Sequence, residues 1–294
     1  RMKLELNSNF YLINKPKSWT SQDLCSKFKK LYNFNKVGHS GTLDPNATGL
    51  MLIATNKYTK LFDYITNKDK TYVVKTLFGY DSETLDIDSN YEKIHEIDLN
   101  KIKDQFINAV NNKKGESLQI PPKYSAVKVK GKRLYKYARE GKEVEIPKRK
   151  INVKKIEIIK IDNETAEIKV KVSEGTYIRS LLSDIAKSLN TVAIVSDLER
   201  ISIGNLDINH NCFISNIEDL NNKFIPNSIS SDEIIDLPVI NVKEKYLDNI
   251  KNGELMRNTL FKTKEIYILK YEGNVVATYK PFNEEYFKPD KVIL

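Results

Sequence analysis

The sequence predicts an α+β protein. Three observations carry this. Residues 165–172 alternate through Ala166, Ile168, Val170 and Val172, and with residues 151–161 they flank the turn Asp162-Asn163-Glu164, which describes an antiparallel hairpin with one buried face. Apolar residues recur at helical spacing in three separate stretches: Leu24, Phe28, Leu31 and Tyr32; Leu99, Ile102, Phe106, Ile107 and Val110; Ile178, Leu181, Leu182, Ile185 and Leu189. Apolar, β-branched and aromatic runs at 10–13, 50–54 and 71–78 supply further strands.

Taken in order, the strand Phe10-Tyr11-Leu12-Ile13 leads into the turn Asn14-Lys15-Pro16. Thr20 with Asp23 three residues on predicts a capping box at the first helix. The stretch 36–54 follows, built around one carboxylate, Asp44. Gly38, Gly41, Gly49 and Pro45 lie within eight positions of it, so the backbone is a specified tight loop. Pro45 biases Asp44 away from the α region, and the run 50–54 reads as a buried strand. An acid is thereby held at the rim of a core, although on residues alone the commoner meaning of such an Asp-Pro is a cap on a helix or tight bend. Tyr72, in the strand 71–78, reads on composition as a packing residue. Asp98 is expected to cap the second helix, and residues 111–115 to end it.

The block Ser173-Glu174-Gly175-Thr176-Tyr177-Ile178-Arg179 opens the third helix. Arg179 sits about 100° round from Ile178, beside the core face. A cation in a helix's first turn opposes the macrodipole and calls for an acidic partner. Residues 221–238 are polar with two prolines and read as a linker. Beyond them Tyr246, Leu247 and Ile250 before Gly253 predict a short helix, and residues 265–280 a hairpin turning at Glu272-Gly273-Asn274. Together they form a small α+β module.

Length and composition narrow the function. The 294 residues suffice for one main domain with a smaller appendage, and a hydrophobic fraction of 40% argues against a disordered chain. No apolar run approaches the roughly 20 residues that span a bilayer, and no charged segment leading into an apolar one opens the chain. Arg1, ahead of Met2, is read as a foreign residue outside the fold. Cys25 and Cys212 are far apart, which argues against a disulfide scaffold and for a reducing compartment, the cytoplasm or an organelle of a eukaryote. His39, His95 and His210 lack ligand spacing, so no metal is expected. The net charge is +9, and residues 123–150, with eleven Lys or Arg against three Glu, carry +8 of it. Tyr124, Tyr135 and Tyr137 interleave with these cations. Aromatics that stack on bases, among cations that pair with phosphates, compose an RNA-binding surface.

Five blocks point further. Gly-His-Ser-Gly-Thr-Leu-Asp-Pro-Asn-Ala-Thr-Gly at 38–49 closely resembles the catalytic loop of the TruB family, the bacterial tRNA pseudouridine-55 synthases. Lys70-Thr71-Tyr72 sits where that family has its active-site tyrosine, ahead of an acidic stretch in which Asp86 matches and Glu83 is longer than the usual Asp. Tyr124-Ser125-Ala126-Val127-Lys128, Gly131 to Tyr135 and Ala138-Arg139-Glu140-Gly141 are similar to its RNA-gripping insertion, here about 115–150. Gly175-Thr176-Tyr177-Ile178-Arg179 and Leu198-Glu199-Arg200-Ile201-Ser202-Ile203-Gly204 resemble two further blocks. Ser18 stands where the family commonly has Gly after its Lys-Pro turn.

The resemblance implies a mixed, mainly antiparallel sheet with flanking helices, the pseudouridine synthase fold, over residues 1–225, and a PUA-like RNA-binding accessory module over 226–294. It implies that Asp44 is catalytic, that Arg179 pairs with it, and that Tyr72 completes the catalytic set. His39 is expected beside the target nucleotide, with Tyr177 and Leu198 lining the uridine pocket and Lys128, Lys132 and Arg133 on the tRNA T arm. The implied reaction isomerises uridine 55 with no cofactor, in a monomer. Asp44 acts as nucleophile or sets off an elimination, and Tyr72 stacks on the base or takes a proton; these alternatives stay open. A noncatalytic RNA-binding module and a ribosomal-RNA isomerase are the competing functions.

Overall fold

The computed structural model describes residues 8–221 and 224–294, so Arg1 and part of the expected linker, 222–223, lie outside the described residues. Strand β1 (Phe10–Lys15) leads to helix α1 (Ser21–Tyr32), then β2 (Val37–His39), β3 (Thr48–Thr55) and β4 (Lys70–Phe78). Helices α2 (Lys103–Asn111), α3 (Leu134–Arg139) and α4 (Ile178–Ser188) follow. The main sheet runs in the order Phe213–Ile214, β1, β3, Ala193–Ile203, β4, Thr165–Val172, Arg149–Ile161, Gly115–Gln119, with β2 added on β3 and Leu206–Asp207 on Ala193–Ile203. Two of its pairings are parallel, β1 with Phe213–Ile214 and β3 with Ala193–Ile203. The rest are antiparallel, as expected.

Why some strands alternate and others do not follows from what covers them. In β1, Tyr11 and Ile13 enter one apolar cluster with Leu24, Phe28, Phe106 and Leu182 from the helices, whereas Phe10 and Leu12 enter a second with Tyr58, Leu61, Ile268 and Val275. Both faces are buried there, so the sequence is continuously apolar. The hairpin Arg149–Ile161 and Thr165–Val172 is covered on one face, and its sequence alternates.

Local chemistry sets the helix ends. Thr20 accepts the Asp23 N–H at 3.1 Å while Asp23 accepts the Thr20 N–H at 2.8 Å, the expected capping box, and Asn33 ends α1 in the left-handed region at φ 54°. Asp98 does not cap α2. Its carboxylate takes the Asn100 N–H at 3.0 Å and the Leu99 N–H is drawn to the Asn163 carbonyl at 2.6 Å, so residues 99–102 form a turn and the helix starts at Lys103.

The expected linker is also revised. Ile229 bridges to Phe10, and Ile229, Ile234 and Ile235 are buried in the second cluster. Three isoleucines hidden in a polar composition turn this stretch into a packed strap. Beyond it a five-stranded sheet, ordered Val239–Asn241, Tyr267–Tyr271, Asn274–Pro281, Tyr286–Val292, Met256–Arg257, curls around its own core of Tyr267, Tyr279 and Phe287. The predicted hairpin turn places Glu272 at φ 48° and Gly273 at φ 79°, the geometry of a tight primed turn. Among the described residues no helix is long and apolar enough to cross a membrane.

Candidate active site

The loop between β2 and β3 is fastened from three directions. Lys15, fully buried, donates to the carbonyls of Pro16 at 2.8 Å, Trp19 at 2.6 Å and Pro45 at 2.9 Å. Ser21, in the first turn of α1, exchanges hydrogen bonds with Leu43, its hydroxyl accepting the Leu43 N–H at 2.8 Å. Asn46 donates its N–H to Asp88 at 3.0 Å and its amide to Asp86 at 3.1 Å. Asp44 is thus fixed by its neighbours' backbone contacts, leaving its carboxylate for another partner. Burial lowers Lys15 to about 8 and raises Asp86 to about 6.

That partner comes from α4. The Arg179 Nε lies 2.8 Å from Asp44 Oδ2, and Nη2 donates to Oδ1 at 3.1 Å. Arg179 also donates to the Thr84 carbonyl at 2.8 Å and the Tyr124 carbonyl at 2.9 Å, so one guanidinium joins the loop, the acidic stretch and the insertion. Its side chain is 5% exposed and that of Asp44 34%, so the carboxylate faces open space and the guanidinium does not. Burying a charge this deeply is tolerable because it is paired and hydrogen-bonded. Gln119 brackets the start of α4, accepting the Tyr177 N–H at 2.9 Å and donating to its carbonyl at 3.0 Å.

Asp44, Tyr72, Tyr177, Arg179 and Leu198 line one cleft of about 570 Å³, with Lys70, Ser125, Arg149 and Lys150 also on its walls. That volume admits a nucleoside. The sequence-derived set therefore splits. His39 does not line the cleft: it sits in β2 with Nδ1 buried and without a hydrogen-bond partner among the described residues, and burial foremost lowers its pKa, keeping it neutral at pH 7. Lys128 and Arg133 pair across a small separate hairpin, and Lys132 is bound to Glu140. Nor are the insertion's tyrosines bare, since Lys132 lies 4.9 Å over the Tyr137 ring and Arg139 5.5 Å over that of Tyr135.

Sequence reasoning assigned no role to Arg200, which is fully buried. It pairs with Gly49 on one side and Tyr72 on the other, donating from Nε to the Leu50 carbonyl at 2.8 Å and from Nη2 to the Gly41 carbonyl at 3.2 Å. Gly49, at φ +103°, permits the approach: a Cβ there would lie 2.3 Å from the Arg200 carbonyl oxygen. Burial raises the Tyr72 hydroxyl's pKa, with Arg200 opposing, which keeps the phenol protonated at neutral pH.

Comparison with known proteins adds a family. The profile of the TruB family pseudouridylate synthase (N terminal domain) matches residues 29–178. The chain is 37% identical over 281 residues to tRNA pseudouridine synthase B of Mycoplasmopsis pulmonis (strain UAB CTIP), covering 94% of this chain and 95% of that one. It is 41% identical over 244 residues to the protein of the same name from Clostridium tetani (strain Massachusetts / E88), covering 82% and 83%. Among solved structures it shares the fold of a chain in the archaeal box H/ACA sRNP Nop10-Cbf5 complex, with a TM-score of 0.67 at 20% identity over 100% of this chain and 88% of that one.

Proposed function

Because the chain belongs to the TruB family of pseudouridylate synthases, we propose that it is a tRNA pseudouridine synthase that isomerises uridine 55 of the T loop. The single observation that carries the chemistry is an aspartate gripped by a buried arginine at the wall of a nucleoside-sized cleft. The uridine is flipped out of its stack into the cleft. Asp44 acts at the ribose, the N1–C1′ bond breaks, the base turns, and C5 takes the place of N1. No group is gained or lost, so the reaction needs no redox or group-carrying cofactor.

Tyr72 serves as the platform for the base, since its side chain is buried at the cleft wall and burial, against the opposing Arg200, disfavours the phenolate that a proton acceptor would need. Tyr177 and Leu198 bound the base from other walls, and His39, in β2 just ahead of the catalytic loop, is the residue assigned to the space the nucleotide vacates. Residues 1–225 form the catalytic unit, 115–150 its RNA-gripping insertion and 226–294 the accessory module. Work on tRNA is consistent with a cytoplasmic protein or one in an organelle of a eukaryote.

Tritium release from transcript tRNA labelled at uridine C5 tests the reading. Release from tRNA supports it; binding without release favours a noncatalytic module, and release from ribosomal RNA alone favours the other isomerase. Replacing Lys128, Lys132 and Arg133 together by Gln should flatten the salt dependence of tRNA binding, lowering the slope of log K against log salt by about 2. The shortfall from three reflects Lys132, which already spends its charge on Glu140. An unchanged slope in filter binding removes this hairpin from the interface.

A further inference from the structure

Two buried cations lie behind the catalytic loop without a counter-ion. Lys70 is 9% exposed and Arg200 fully buried, and neither forms an ion pair among the described residues. Lys70 Nζ donates to the Lys68 carbonyl at 3.2 Å; Arg200 spends two nitrogens on carbonyls and otherwise meets the neutral Tyr72 hydroxyl, so neither cation is answered by a carboxylate. A Cβ at Gly41 would lie 3.3 Å from Lys70 Cε and 3.7 Å from Arg200 Nη1, so the two cations converge on one point of the loop. The nearby carboxylates are committed elsewhere: Asp69 to Lys154 at 2.6 Å, and Glu174 to Lys68 at 3.8 Å. Uncompensated buried charge is costly, and at the wall of a binding cleft it marks where an anion arrives.

Position identifies the anion. Lys70 and Tyr72 are two residues apart on β4 and point to the same face, both buried. Arg149 and Lys150, exposed at the rim of the same cleft, suit phosphates of an incoming strand. Lys70 lies deeper, beside the ring that carries the base. On either route of bond cleavage the N1–C1′ electron pair leaves with the uracil, which becomes an anion. We propose that Lys70 is a catalytic residue whose ammonium holds the negative charge of the departing uracil while it turns. Lys70 stays protonated throughout. When C5 bonds to C1′ the ring returns its electron pair, the C5 proton leaves and N1 takes one up, so electrons and protons balance. Burial and the Arg200 charge lower Lys70 to about 8, which leaves it charged at neutral pH. Glu174, Lys68 and Asp69 are the other charges that bear on it.

The inference rests on the proposed isomerisation, and wild-type turnover tests that separately. In single-turnover assays Lys70→Met should slow uridine conversion by about 10²-fold, the usual effect of losing one charge-stabilising donor. Affinity for tRNA should be unchanged, and removing an unpaired buried charge spares the fold. Fluorine at C5 makes uracil a better leaving group. With 5-fluorouridine tRNA, followed by nuclease digestion and chromatography, the defect of Lys70→Met should therefore shrink by about tenfold. Weakened binding with a lower salt slope and an unchanged rate would overturn the proposal in favour of a phosphate contact. Equal losses on both substrates would overturn it in favour of a residue that only shapes the cleft. A wild-type protein that converts neither substrate would refute the proposed function itself.

Discussion

Asp44→Asn is expected to abolish tritium release, by about 10⁴-fold or more, while tRNA still binds. Asparagine matches aspartate in shape, and the loop that carries it is held by Lys15, Ser21 and Asn46 rather than by the carboxylate. Attack at the ribose, or the elimination that replaces it, needs an anionic oxygen, which the amide lacks. Stability should fall only modestly, because Arg179 keeps its bonds to the Thr84 and Tyr124 carbonyls. Melting curves, filter binding and the release assay on one preparation check all three. Turnover within a hundredfold of wild type would remove Asp44 from the chemistry.

Arg179→Lys should lose about 10²- to 10³-fold in turnover despite conserving charge. A lysine ammonium is a point charge with three donors on a flexible stem. It cannot meet both oxygens of Asp44 and also reach Thr84 and Tyr124, which the fork does from one plane. The loss should fall on kcat more than on KM, since the arginine aims the carboxylate and does not grip the RNA backbone. Steady-state kinetics on T-arm transcripts measure the split, and near-normal kcat would refute the role.

What the sequence made legible, and what it hid, follows from how far each feature depends on distant segments. The capping box at Thr20 and the hairpin around 162–164 are local chemistry, and both form as expected. Asp44 and Arg179 are 135 positions apart, and only the quoted blocks join them before any coordinates do. Lys70 and Arg200 stand in the quoted blocks but carry no role there, because nothing local says that a cation in a strand is buried. Their burial is imposed by β3 and β4 closing on Ala193–Ile203, which no local pattern announces. Asp98 misled because an aspartate before an apolar period can serve a turn as readily as a helix. The strap at 229–235 misled because composition averages away three isoleucines.

The second apolar cluster has a consequence for biosynthesis. Phe10 and Leu12 of the first strand are covered by Ile268, Val275 and Ile293, and the Tyr58 hydroxyl accepts the Val275 N–H at 3.0 Å. Contacts of such wide sequence separation form late. A nascent chain that has already synthesised Asp44, Tyr72 and Arg179 therefore still presents one greasy flank of the strand that seats Lys15. Asp44, Tyr72 and Arg179 all leave the ribosome before the segment that covers that flank, and until it is synthesised the flank is exposed apolar surface open to aggregation.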